Sequence, residues 1–397
     1  MEFEKVREEI QKISSVGTHR EGGTNRVFGT QEYREGLAAV KQYFEESGLH
    51  TYVDSVDNVH GIWYCGKKDV EEILIGSHID TVKQGGMFDG LLGVVAAVEA
   101  AKKIEACGCS MQKDIHIIGT NGEEGNECGG TFGSRAMMGL LPLEEERYLQ
   151  TARKYGYTKE DMEQAILDTS RSICYLELHI EQGPTLANRG EQIGIVTGIV
   201  GLQRYKVTVS GISNHAGTTM MEDRKDALVQ AAGLILMGDK LAREMGHSFV
   251  ETVALLQIFP SSTAVIPGKV EMVVEIRNES EERMEQFLQE YQKRAQEIAD
   301  VVIEPIVKKK PVKCEEELVK IIGEACRKEG MSCRRMPSGA THDGNAFAMK
   351  LPIGMIFVPS ENGISHSWEE WTNWDDIDKG VTVLVDVLKA IGSQEEW

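Results

Sequence analysis

Residues 71–80 read EEILIGSHID and residues 113–124 read KDIHIIGTNGEE. Each is a short apolar run that breaks into polar residues at its end, as expected of a strand covered on both faces in a parallel sheet. Between them LLGVVAAVEAAKKI (91–104) is a small-residue helix beginning directly after Asp89-Gly90. Strand, helix and strand in that order predict an α/β architecture with a mostly parallel sheet. Ligands in such sheets gather at the carboxyl ends of the strands, where His78, Asp80, Glu123 and Glu124 fall.

The same alternation extends outward. Gln31 to Ser47 has helical spacing of apolar residues, and MIFVPS (355–360) is another buried strand. From about Gln203 the pattern changes to strand RYKVTVSG, helix KDALVQAAGLILMGDKLAREM, strand ETVALLQIF, strand GKVEMVVEI, helix EERMEQFLQEYQKRAQEIA and a closing VVIEPIVKK. That order predicts a split βαβ unit able to stand alone. A chain of 397 residues also exceeds what one core usually covers. The expected division is therefore a first domain of residues 1–202 and 312–397, interrupted by an α+β domain of residues 203–311.

Composition removes several function classes. A net charge of -20 repels a phosphate backbone, so nucleic acid is not an expected partner. No run approaches the ~20 apolar residues needed to span a bilayer. The start, MEFEKVREEIQKISSVG, reads as an acidic amphipathic helix rather than a secretion signal. These features predict a cytoplasmic protein with no membrane association. The eight cysteines include no CxxC pair and are expected to be reduced thiols, Cys107 and Cys109 among them. The basic run Lys308-Lys309-Lys310-Pro311 is expected to be a solvated connection between domains.

Chemistry concentrates in GSHIDT (His78), GGMFDG (Asp89), GTNGEEG (Glu123, Glu124), YLELHIEQGP (His179) and GISHSWEE (His366). Singly, each residue has an ordinary explanation as a cap or a satisfied polar group. Three histidines with two carboxylates are what a pair of borderline divalent ions takes: zinc, manganese, cobalt or nickel rather than calcium. One carboxylate must then bridge, and Asp89 is the candidate. Asp80, two residues beyond His78, is expected to accept that ring's other N–H and fix its tautomer. Of the adjacent glutamates, Glu124 is assigned to the metal and Glu123 to general acid–base work; alternatively both ligate, or one is a surface charge.

Taken together, GSHIDTVKQGGMFDG, NGEEGNECGGTFGSR, YLELHIEQGP, SNHAGTTMMEDRKDAL, AVIPGKV, SGATHDG and IFVPSENGISHS resemble the metal-dependent amidase family of hydantoinase/carbamoylase type. Its members are N-carbamoyl-L-amino-acid hydrolases, β-ureidopropionases, allantoate amidohydrolases and ureidoglycolate amidohydrolases. The resemblance implies a two-metal exopeptidase-like catalytic domain carrying an inserted lid and dimerisation domain. It implies two divalent ions per subunit, one held by His78, Asp89 and His179, the other by Asp89, Glu124 and His366, with Glu123 as acid and base. By the same resemblance His215 of the HAGTT motif polarises the substrate carbonyl in a site completed across a homodimer. Arg277 grips a substrate carboxylate, and His342 lies near the site. Arg277 could equally be a salt bridge at a strand end, and His215 a helix cap.

The resemblance is also imperfect in ways that bear on substrate recognition. Ala264 stands where most members carry Asn, Trp368 where proline follows His-Ser, and Gly344 where alanine is common. His179 favours the carbamoyl-hydrolysing branch, since related peptidases and deacylases tend to carry an acidic residue there. The expected function is hydrolysis of a non-peptide C–N bond in a small carbamoyl or ureido carboxylate. The competing readings are a dipeptidase or N-acyl-amino-acid deacylase of the same architecture, and a catalytically silent metal-binding dimer.

Overall fold

The computed structural model describes residues 4–246 and 248–394. The chain divides into two compact units, Met1–Thr197 with Lys313–Trp397, and Gly198–Val312. The strands are β1 (His50–Val53), β2 (Val59–Trp63), β3 (Glu72–His78), β4 (Asp114–Thr120), β5 (Ser172–Ile180), β6 (Ile193–Ile199), β7 (Gly201–Ser210), β8 (Val250–Phe259), β9 (Lys269–Asn278), β10 (Asp300–Lys309), β11 (Val312–Lys313), β12 (Cys333–Ser338) and β13 (Ile353–Val358).

The larger sheet runs β1-β2-β4-β3-β5-β13-β6-β11, with β12 paired to β6. Its centre is parallel: β3 pairs with β4 and β5, and β13 with β5. The flanks are antiparallel, through β2 on β4 and β6 on β13. Every residue of β3, β4 and β13 is buried, which explains the unbroken apolar runs in the sequence. The helix Leu91–Ala106 is buried almost all round, so small residues rather than an amphipathic stripe define it.

The smaller unit is an antiparallel sheet in the order β10-β7-β9-β8. Its connections are β7, helix Ala227–Glu244, β8, β9, helix Glu281–Ile298 and β10, which is the split βαβ order. Inward residues of β7 (Tyr205, Val207, Val209) and β9 (Val270, Met272, Val274, Ile276) pack with Leu234, Phe287 and Tyr291 of the helices. Truncating a buried aromatic such as Phe287 to alanine costs about 3–5 kcal/mol. The unit begins a few residues ahead of the expected 203, because Gly201, Leu202 and Gln203 are all buried and hide the alternation that becomes readable only from Arg204.

Several local expectations are corrected. The basic run is exposed and leads to the boundary of the unit, as expected, but it is also paired: Lys308, in β10, meets Glu285 at 2.9 Å and Glu281 at 3.1 Å, while Lys310 lies 3.6 Å from Glu281. Cys107 and Cys109 form a disulfide rather than free thiols, since Gly108 turns left-handed (φ 64°) after the helix and brings their Cα atoms to 5.4 Å. The other six cysteines are free. The expected N-terminal helix spans Glu4–Ser14, and residues 1–3 lie outside the described residues. Among the described residues no helix is long and apolar enough to cross a membrane.

Candidate metal centre

Strand ends of the larger sheet deliver the site. His78 is the last residue of β3, His179 lies in the last turn of pleat of β5, and Glu123 and Glu124 follow β4. Asp89 precedes the helix Leu91–Ala106, separated from it only by Gly90. Gly90 has φ 70°, and a Cβ there would lie 2.4 Å from the His78 ring, so backbone and imidazole approach as only glycine allows.

Asp89 sits at the centre of the histidines. Its Oδ1 is 3.2 Å from His179 Nε2 and 3.7 Å from His78 Nε2. Its Oδ2 is 3.4 Å from His366 Nε2, which in turn lies 3.3 Å from Glu124 Oε1. The two expected ligand sets, His78/Asp89/His179 and Asp89/Glu124/His366, each bring their donor atoms within 4.8 Å of one another. Glu123 Oε2 stands 4.0 Å from His78 Nε2.

Hydrogen bonding fixes which nitrogen faces inward. His78 Nδ1 lies 2.9 Å from the Asp80 carbonyl and His179 Nδ1 2.9 Å from the Ile180 carbonyl. A carbonyl only accepts, so both rings carry a proton on Nδ1 and present Nε2, the nitrogen left for a ligand, toward Asp89. His179 Nε2 is buried with no hydrogen-bond partner. Imidazole nitrogens and carboxylate oxygens converging on buried Asp89 form a donor set that fits a divalent cation.

The electrostatics agree. Burial alone would push the Asp89 carboxyl up, but His179, His366 and His78 together hold it well below the usual carboxylate range. Burial drives the Glu123 carboxyl well above that range, against His78 and with Glu124, Asp343 and Asp80 adding to the rise. Burial and then Asp89 bring Glu124 to about 7. The hydrogen bond to Asp89 lifts His366 to about 9. Crowded buried carboxylates that can ionise only at such cost are stabilised by a bound dication.

Asp80 does something other than expected. Its carboxylate oxygens accept the backbone N–H groups of Glu123 (3.0 Å) and Glu124 (3.1 Å), while its main-chain carbonyl, not its side chain, meets His78. The chain beyond β3 places the carbonyl 2.9 Å from the ring and leaves the Asp80 carboxylate 3.8 Å away. Asp80 thus positions the two glutamates.

His342 is buried, with Nε2 2.7 Å from Ser338 Oγ and its ring 4.6 Å from that of His179. Burial and the neighbouring His179 hold it well below the ordinary histidine value, hence neutral. A third cluster, Glu177/His179/His342, meets the same distance criterion, but Glu177 is committed to Ser77 Oγ (2.8 Å), Tyr175 Oη (3.3 Å) and the Gly344 N–H (3.3 Å). The sequence reading also passed over Gln182, whose Nε2 donates to Asp89 Oδ1 (3.2 Å) and Oδ2 (3.1 Å), and over Asp343, which accepts from Ser134 Oγ and Thr120 Oγ1. Both lie inside the motifs HIEQGP and ATHDG, beside the histidines that drew attention. Trp368 packs over Gly22 and remains 58% exposed.

In the smaller unit His215 is exposed, and its Nδ1 accepts from the Gly217 (3.0 Å) and Thr218 (3.2 Å) N–H groups. Its proton therefore sits on Nε2, which leaves a donor on the outer side of the ring. A β-bridge joins His215 to Val265, and the Ala264 carbonyl accepts the Ala216 N–H at 2.9 Å, so Ala264 lies against the His215 turn. Arg277 Nε donates to Glu275 Oε1 at 2.8 Å.

A central carboxylate flanked by two imidazoles from strand ends of an α/β sheet and a third from a loop defines a metal-dependent hydrolase. The chain belongs to peptidase family M20/M25/M40, whose family model matches residues 74–390. It is 37% identical over 409 residues to the N-carbamoyl-L-amino acid amidohydrolase of Geobacillus stearothermophilus, covering 99% of both chains. It is 34% identical to the allantoate amidohydrolase of Bacillus subtilis, over 96% of this chain and 95% of that one. The crystal structure of a hydantoinase/carbamoylase family amidase from Burkholderia multivorans superimposes with a TM-score of 0.90 at 27% identity, covering 98% of each chain. The aminopeptidase PepT of Bacillus cereus shares the fold, with a TM-score of 0.66 at 16% identity.

Proposed function

We propose that this chain hydrolyses the C–N bond of a carbamoyl or ureido group on a small carboxylate substrate. The observation that carries the reading is Asp89, placed with one oxygen toward His78 and His179 and the other toward His366, with Glu123 beside them. Full-length similarity to carbamoyl and allantoate amidohydrolases supports that substrate class. His78, Asp89 and His179 would hold one divalent ion and Asp89, Glu124 and His366 a second; zinc, manganese, cobalt and nickel suit these donors. When bound, such ions polarise a carbonyl and acidify water.

The chain's own residues supply the rest. Glu123 removes a proton as water adds to the substrate carbonyl carbon. When the C–N bond breaks, the electron pair leaves with nitrogen, and Glu123 returns the proton to it. His215 donates from Nε2 to the carbonyl oxygen as negative charge develops there, the role its Nδ1 contacts support. Arg277, oriented by Glu275, pairs with the substrate carboxylate. His342 stays neutral behind His179.

We assign the smaller unit, expected at residues 203–311 and spanning Gly198–Val312, as the lid and dimerisation domain. Edge strand β8 leaves Val250 and Leu255 52% and 61% exposed, and Val229 and Leu236 on the helix Ala227–Glu244 are 66% and 73% exposed, an apolar surface suited to a second copy. If the lid completes a partner's site, mixing Glu123→Gln and His215→Ala subunits restores part of the activity. Proven exchange without recovery refutes the shared site.

A panel of N-carbamoyl amino acids, allantoate, ureidoglycolate, N-acyl amino acids and dipeptides tests the reading. Turnover should fall on the carbamoyl or ureido compounds; turnover of dipeptides alone overturns it. Alanine at 264 offers neither the donor nor the acceptor of an asparagine, so standard N-carbamoyl-α-amino acids should be poor substrates that Ala264→Asn improves. Efficient wild-type turnover of such a compound, with no gain on substitution, makes Ala264 neutral.

A further inference from the structure

Glu370 is a buried carboxylate, 3% exposed, that no ligand set uses. Its Oε1 accepts two main-chain N–H groups, those of Phe88 and Asp89, each at 3.1 Å. Its Oε2 accepts the Ser365 hydroxyl at 3.0 Å. Ser365 Oγ is also 3.4 Å from Asp89 Oδ2. The contacts close a ring that leaves Asp89 through its backbone, passes through Glu370 and Ser365, and returns to the Asp89 carboxylate. Ser365 directly precedes His366, so the ring ties together the two loops that carry Asp89 and His366.

The surroundings are built for this side chain. A Cβ on Gly86 would lie 2.0 Å from Glu370 Oε1, so the loop before Asp89 can accept the carboxylate only with glycine there. Phe88, whose N–H is one of the two donors, is locked edge-on between Trp371 (5.5 Å) and Trp374 (5.2 Å). A buried carboxylate is costly unless its oxygens are satisfied, and these are satisfied by the very groups that must be placed. Two N–H groups converging on one oxygen fix the main chain at Asp89. The hydroxyl has a single proton and two carboxylates in reach, with Glu370 Oε2 the nearer at 3.0 Å; were Asp89 engaged by a cation, the proton would go to Glu370.

We infer that Glu370 is a positioning residue that orients Asp89 as a bridge and sets the His366 loop, so that the ion shared by Asp89, Glu124 and His366 is held in register. The inference rests on the reading of Asp89 as a bridging ligand. It is tested by titrating metal-free protein with cobalt(II), reading stoichiometry and the visible absorption bands of the bound ion. Wild type should take two ions per chain. Glu370→Ala should bind one of them at least about tenfold more weakly with altered bands, the range typical of outer hydrogen-bond partners of metal ligands. Glu370→Gln keeps an oxygen that can accept both N–H groups, and should recover most of that loss. Glu370→Ala titrating like wild type overturns the inference, as does Glu370→Gln falling equally far, which would assign the effect to charge. Should Glu370→Ala not fold, Ser365→Ala decides: a weakened second ion supports the ring and an unchanged titration refutes it. Wild type binding no cobalt would instead overturn the metal reading itself, and this inference with it.

Discussion

The Asp80 carboxylate grips the backbone N–H of Glu123 at 3.0 Å and, through its other oxygen, that of Glu124 at 3.1 Å. An asparagine there would turn an NH2 group toward one of two N–H donors and push the turn away. Asp80→Asn should therefore lower kcat by about 10–100-fold while metal content stays full, because the ligands themselves are intact. Kinetics paired with elemental analysis check this. Loss of metal would mean that Asp80 acts through His78 instead.

Glu123 and His366 should separate cleanly. Glu123→Gln should retain the metals and lose at least about 100-fold in turnover, the usual contribution of a general acid–base group. His366→Ala should lose metal along with activity. Near-normal turnover by the first variant, or unchanged occupancy in the second, removes that residue from its role.

Glu251 offers a pH test within the smaller unit. Burial, and to a lesser degree Asp239, pushes its carboxyl up to about 7, and its Oε1 has no hydrogen-bond partner. Between the unfolded value of 4.5 and about 7 the native state binds the extra proton, so this group's contribution falls as pH rises through that window. Glu251→Gln should raise Tm at pH ~8 and leave it nearly unchanged at pH ~5. A shift of equal size at both values would show that ionisation of Glu251 is not the cause.

That His78, Asp89, Glu124, His179 and His366 come together was legible because each follows a strand or lies in a glycine-rich turn. His78 after EILIGS and His179 after CYLEL are the plainest cases. Glu370 carried no such signal. It lies in a loop without periodicity, and its Asp89 contact spans 281 residues, a pairing that only tertiary structure creates. Asp80 misled for a different reason. A spacing of two places a side chain near His78, but spacing cannot say whether the carbonyl or the carboxylate of the same residue arrives first. Gln182 has φ 56° and reaches Asp89 from that unusual backbone position, which a sequence pattern does not encode.

Strand β13 lies between β5 and β6 in the larger sheet, yet it is made after the whole smaller unit. During synthesis a chain that has emerged as far as Val312 already owns His78, Asp89, Glu124 and His179, but it has a vacant lane in the sheet and lacks His366. Domains tend to fold as units as they leave the ribosome, and this one must wait for its own tail. The smaller unit can mature first, while the sheet stays open on an unpaired strand edge until residues 353–358 arrive. A product that stops short of residue 353 would lack both this strand and His366, and so could not assemble the second of the two donor groups proposed above.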